Sequence, residues 1–276
     1  TQGGTVVETA GGGAAFLPDT QAAGYYVLGL DNIALVDLAG LVMFIGIVLG
    51  VSGHAVARYI ANRRRPKVEA PTRPVKLYDV YDRLWHWLQA GAILLLLFTG
   101  LAIHKPHIFG MFSFRYMVQV HNVLGFILLI NAALALFYTL ASGTLKRFFP
   151  EPNDFFARTF EQSLYYMKGI FAGEGHPMHK TMDNRLNPLQ QVTYLAILNI
   201  LLPAQVITGV LIWGMQEWPE LATALGGLPI LAPIHTFLAW AFSAFIVMHV
   251  YLTTTGETPT AGIRSMISGW ENVEEH

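Results

Sequence analysis

The chain has 276 residues, of which 53% are hydrophobic and only 13% charged, with a mean hydropathy of +0.44; ordinary soluble domains carry about 25% charged residues. A net charge of −1 gives no footprint for nucleic acid. The lack of cysteine excludes disulfides, iron–sulfur ligation, thiol chemistry and covalent c-type haem attachment, leaving ten histidines as the transition-metal ligands present in quantity.

The chain opens TQGGTVVETAGGGAAFLPD, rich in Gly, Ala and Thr and without a basic n-region, so it does not read as a signal peptide. It is either a mature end left by cleavage or simply where this chain starts. Residues 1–32 are expected outside the membrane. A membrane span needs about 20 mostly apolar residues, and five stretches qualify. The first is Ile33–Ala57, followed by a basic linker, 58–76, whose part NRRRPKVEAPTRPVK carries prolines. The second is Leu84–Ile103 and the third Gln119–Ala141. In the long loop 142–188, Asp154–Phe171 mixes apolar and charged residues at near-helical spacing, as an interfacial amphipathic helix does. The fourth span, Leu189–Met215, contains Pro203, which should kink it. The fifth is Pro233–Thr255, and the tail 261–276 holds a short helix, Ala261–Trp270.

Loop charge sets the orientation. Fifteen of the lysines and arginines fall between the first and second spans, in the long loop and in the tail, against two, Lys105 and Arg115, on the other side. The N-terminus therefore lies outside and the C-terminus in the cytoplasm. This gives each histidine a depth. His121 and His235 lie near the outer surface, His86 and His249 near the inner one. His235 and His249 are fourteen residues apart, which is 40° short of four full turns and ~21 Å of rise. Both face one side of the helix, one in each leaflet.

Ionisable residues inside a membrane face the bundle interior and mark function by default. Two histidines from different helices at one depth supply both axial ligands of a haem, so the pattern points to two haems, with His121/His235 holding the outer iron and His86/His249 the inner one. Gly91, Gly100, Gly125 and Gly209 would let helix backbones approach the macrocycles, and Arg83, Arg115 and Lys76 are candidate propionate partners. A lone membrane histidine is more often a hydrogen-bonded core group, and His54, His104, His107, His176 and His179 are read that way; His54 is the best spare ligand, and His276 is uninformative. Asn187 and Gln190 precede the fourth span. A helix cap is their plain reading, but carboxamides at the depth of His86 and His249 also suit a quinone carbonyl.

The stretches YDRLWHWL, VHNVLGFILL, RLNPLQQVTYLAI…VITGVLIW and H-x13-H resemble the membrane cytochrome b subunit of respiratory formate dehydrogenases, with the thiosulfate reductase subunits as close relatives. The resemblance covers about residues 76–270. It implies an all-α integral membrane fold, a four-helix bundle over 77–260 with two b haems on the same ligand pairs. It also implies a menaquinone or ubiquinone site near the inner haem at Asn187 and Gln190, and partners outside: an iron–sulfur subunit and a molybdenum or tungsten catalytic subunit. Ile33–Ala57 departs from that pattern as a fifth span, which would replace the anchoring helix an iron–sulfur subunit commonly supplies. The expected protein is an electron-transfer subunit of the bacterial inner membrane that carries the quinone site and not the substrate-oxidising centre. A thiosulfate or polysulfide reductase or a [NiFe]-hydrogenase is the alternative complex. A histidine-lined transporter is the rival from another class; it requires carboxylates at mid-membrane, and Asp37 is the one acid clearly within a span.

Overall fold

The computed structural model describes residues 4–8, 14–18, 33–63, 71–149, 154–178, 180–181, 185–215, 217–256 and 258–274. The N-terminal segment contributes a two-stranded antiparallel pair, β1 (Gly4–Glu8) and β2 (Ala14–Pro18), with Gly4 opposite Pro18. The rest of 1–32, linker residues 64–70, His179 and His276 lie outside the described residues.

Among the described residues, five helices are long and apolar enough to cross a membrane. They are α1 (Ile33–Arg63), α2 (Val80–His104), α3 (Phe114–Ala141), a composite fourth span over Pro188–Gly214, and a fifth over Leu228–Thr253. Lipid explains what would be anomalous in water: Leu35, Leu49, Leu84, Phe137 and Ile200 are each more than half exposed, and helices are the open-ended way to satisfy every backbone group in hydrocarbon.

Before the fourth span comes a helix outside the membrane set, α4 (Phe155–Leu164), continued by a π-helical turn over Tyr165–Gly169. Its Phe156, Phe160, Leu164 and Met167 are exposed at helical spacing, while polar Gln162 is 1% exposed. A helix that turns its apolar stripe outward and buries its amide fits a lipid interface.

The fourth span opens as α5 (Pro188–Ala196), widens to a π-helix over Ile197–Leu201, and resumes as α6 (Leu202–Trp213). Pro203 accounts for the widening. It has no N–H for the carbonyl of Asn199 and its ring crowds that carbonyl, so the irregularity falls on the turn before it. After a short helix, α7 (Pro219–Ala224), the fifth span is α8 (Leu228–Thr253), which starts five residues earlier than expected. Pro233 is therefore inside the helix, at its sixth residue, where it forgoes the bond to the Pro229 carbonyl.

The basic linker and the tail were expected as separate cytoplasmic pieces. Instead β3 (Thr72–Lys76) pairs antiparallel with β4 (Trp270–Glu274), which follows α9 (Ala261–Ser268). Gly269 joins α9 to β4 at φ +90, and a Cβ there would sit 2.6 Å from the Tyr78 carbonyl oxygen. Its own carbonyl accepts from Leu77 and Tyr78 N–H, and Leu77 is fully buried.

The chain groups into two compact units. One contains residues 90–130 and 202–243 with the start of α1; the other contains 45–89, 131–201 and 244–276. Each holds one histidine pair.

Candidate functional site

In the first unit, α3 supplies His121 and α8 supplies His235. Their ring centres are 6.3 Å apart and the planes meet at 71°. Each ring rests on a Thr-Gly step of another helix. Thr99 Oγ1 lies 2.9 Å from His121 Nδ1, and Thr208 Oγ1 lies 2.9 Å from His235 Nδ1. The neighbouring glycines make room: a Cβ on Gly100 would stand 3.3 Å from His121 Cε1, and one on Gly209 3.1 Å from His235 Cε1. Gln205 Nε2 approaches His235 Nε2 at 3.0 Å.

In the second unit, α2 supplies His86 and α8 supplies His249. Their ring centres are 6.2 Å apart at 45°. Phe245 stacks on His249 at 5.4 Å, and Trp87 meets His86 edge-on at 5.2 Å. His86 Nδ1 and Trp85 Nε1 are buried without a hydrogen-bond partner. Asn131, on α3, donates to Gln89 Oε1 at 2.9 Å.

The two separations have a chemical meaning. Imidazoles that share one metal through bonds of about 2 Å, each nitrogen about 1.1 Å from its ring centre, would have centres roughly 6.2 Å apart. Two nitrogens do not complete a metal site, and among the described residues no group of three or more His, Cys, Asp or Glu could hold an ion. A pair of histidines suits an iron whose remaining positions are filled by a macrocycle. Gly100 and Gly209 leave room for the two imidazoles that would hold that group in the first unit.

The other expected residues have different surroundings. Arg83 donates to the carbonyls of Asp79 and Ile267 and lines an apolar hollow of about 340 Å³ with Trp87 and Met266. Lys76 pairs with Asp79 at 2.8 Å. Arg115 is exposed at the start of α3. Asn187 and Gln190 form a reciprocal capping box on α5: Asn187 Oδ1 accepts from Gln190 N–H at 2.9 Å, and Gln190 Oε1 accepts from Asn187 N–H at 3.0 Å. Asn187 is 2% exposed and also donates to the Tyr166 hydroxyl at 3.3 Å. Burial raises the Tyr166 pKa above the usual phenol value, so the hydroxyl keeps its proton. His54, the spare ligand, is engaged at both ring nitrogens, with the Tyr251 hydroxyl and with the Tyr166 carbonyl, at 2.8 Å from the latter. His176 bonds within its own loop and to Gln162, and His107 lies beside His104.

Sequence reasoning missed three residues that touch the first pair: Thr99, Thr208 and Gln205. The signal was present as a repeat, FTGLAI over 98–103 and ITGVLI over 207–212. It also missed the partners of Asp37, which binds His104 at 2.8 Å and Lys105 at 2.5 Å.

A family model for prokaryotic cytochrome b561 matches residues 77–269, so α1 lies outside the match. The chain is 31% identical over 229 residues to the "Putative cytochrome YdhU" of Escherichia coli (strain K12), covering 83% of this chain and 86% of that protein. It is 27% identical over 186 residues to the "Putative protein-methionine-sulfoxide reductase subunit YedZ1" of Azospira oryzae, covering 63% of this chain and 88% of that protein. No solved structure matches.

Proposed function

The chain belongs to the prokaryotic cytochrome b561 family, whose members are haem-binding electron-transfer proteins of the bacterial inner membrane, and on that premise we propose that it carries two b haems and links a redox enzyme outside the cytoplasm to the quinone pool. The observation that carries the reading is the near-equal separation of the ring centres in two pairs, 6.3 Å for His121/His235 and 6.2 Å for His86/His249. Bound haem supplies one-electron chemistry. The protein's part is to present one histidine from each of two helices to each iron, to keep the rings in apolar surroundings, and to thread both sites on α8.

The quinone contact is proposed at the mouth of α5. The capping box uses Gln190 Oε1, so Gln190 Nε2 is the group able to donate to a quinone carbonyl, while Asn187 holds the box and Tyr166. The outer partner is proposed as an iron–sulfur subunit with a molybdenum or tungsten catalytic subunit of formate dehydrogenase type. The likeness to the Azospira reductase subunit favours a second reading, a reductase of oxidised sulfur that draws electrons from quinol by the reverse path. The transporter rival lacks its carboxylate, since Asp37 is held by His104 and Lys105.

A reduced-minus-oxidised spectrum with a haem assay on the purified chain tests the reading. Two b haems per chain are expected, and His249→Ala should remove one. A chain without haem would end the proposal. Haem reduction by formate or by quinol in membranes containing the whole complex distinguishes the two partner readings.

A further inference from the structure

Thr99 and Thr208 do something that the two-haem reading does not require of them. Each hydroxyl has one proton, and each lies within bonding distance of its own helix's carbonyls. Thr99 Oγ1 is 2.8 Å from Leu95 O and 3.2 Å from Leu96 O; Thr208 Oγ1 is 2.7 Å from Ala204 O and 3.1 Å from Gln205 O. A carbonyl can only accept, so the proton is committed to the backbone, the usual back-bond of a helical threonine. The oxygen then has only lone pairs to offer the histidine, and Nδ1 of His121 and of His235 must be the N–H donor across each 2.9 Å contact. A neutral imidazole protonated at Nδ1 carries its lone pair on Nε2. In that tautomer the Gln205 Nε2 amide, 3.0 Å from His235 Nε2, is the donor to it. The second pair has no such device at His86, whose Nδ1 is buried without a partner.

We propose that Thr99 and Thr208 are positioning residues for the His121/His235 haem, fixing both axial ligands in the Nδ1–H tautomer with Nε2 aimed at the iron and, through those hydrogen bonds, lowering that haem's reduction potential. The proposal rests on the haem reading above. Its physical basis is that an acceptor on the remote ring nitrogen orients the ligand and raises its basicity, which favours the ferric state. Gln205 competes with iron for the same lone pair, so its amide gives way when the ligand bond forms.

The test uses the full chain carrying haem and redox potentiometry monitored by visible absorption. Thr99→Val and Thr208→Val keep side-chain shape but lose the acceptor; Thr99→Ser and Thr208→Ser keep it. Each valine variant should move one haem potential upward, leave the other in place, and weaken haem retention at that pair about tenfold or more. The serine variants should restore both readouts. If the double valine variant titrates like the unmodified chain, or if serine fails to restore what valine removes, the hydroxyls do not position the ligands. If the unmodified chain binds no haem, the underlying reading falls first, and that is seen before any variant is made.

Discussion

Gly209 is the position where a single methyl group tests the arrangement most sharply. A Cβ there would stand 3.1 Å from Cε1 of His235, against about 3.5–4.0 Å for a comfortable carbon–carbon contact. The ring must then recede by a few tenths of an ångström, while Thr208, one residue away, holds the same edge of the ring at Nδ1, 2.9 Å away. Overpacking of this kind costs about 1–3 kcal/mol. At 1.4 kcal/mol per decade, Gly209→Ala should weaken haem retention at that pair about 5- to 150-fold, and Gly209→Val, with two further carbons, should remove that haem. Gly100, at 3.3 Å from His121 Cε1, should give the same effect more mildly. Gly50→Ala on α1, whose Cβ would meet nothing within 4 Å, is the control. The assay is haem per chain after gel filtration, with the His86/His249 haem as internal evidence that the fold survives. A Gly209→Val chain that keeps two haems with unchanged spectra would refute the placement of His235.

Three further outcomes follow from the same geometry. Asp37→Ala strands Lys105 and His104 in a partly buried setting, with Asp37 21% exposed, and should cost about 1–3 kcal/mol, between an exposed pair and a buried one; a double-mutant cycle with Lys105→Ala read by thermal unfolding should show coupling, and additive effects would mean the contact is unimportant. Asn187→Ala removes the cap of α5 and should lower stability by about 1 kcal/mol without loss of haem, whereas Gln190→Leu should also slow haem reduction by quinol; equal quinol rates in Gln190→Leu and the unmodified chain would remove Gln190 from the quinone site. Deleting residues 1–60 should lower thermal stability but leave haem bound, because α1 contacts Trp240, His104, Lys105, Tyr251 and the Tyr166 and Thr254 carbonyls, a set distinct from the four ligands; if the outer subunits stay bound to that truncated chain, α1 is not their anchor.

What could be read in the sequence was what one helix decides alone. Apolar length gave the five spans, and the fourteen-residue step gave the shared face of His235 and His249, because both depend on rise and rotation per residue. Span ends were less legible. The α1 helix runs on to Arg63, because ARYIANR keeps helix-forming residues after hydrophobicity has ended, and α8 tolerates Pro233. Contacts between distant segments left no local trace: β3 with β4, the approach of Gly40 to the Trp240 ring, and the Asp37–His104 bond join residues that pattern cannot pair. This changes how α1 is understood. It was expected as a helix apart from the bundle, yet it packs Gly40 and Phe44 on Trp240 in one unit and bonds His54 to Tyr251 in the other. Both Trp240 and Tyr251 lie on α8, the helix that carries one ligand of each pair. A helix that serves only to anchor another subunit has no need to fit glycine against an aromatic ring or to spend a carboxylate inside the membrane. Those features belong to a helix that braces α8, so docking of an outer partner, if α1 provides it, is added to a structural role within this chain.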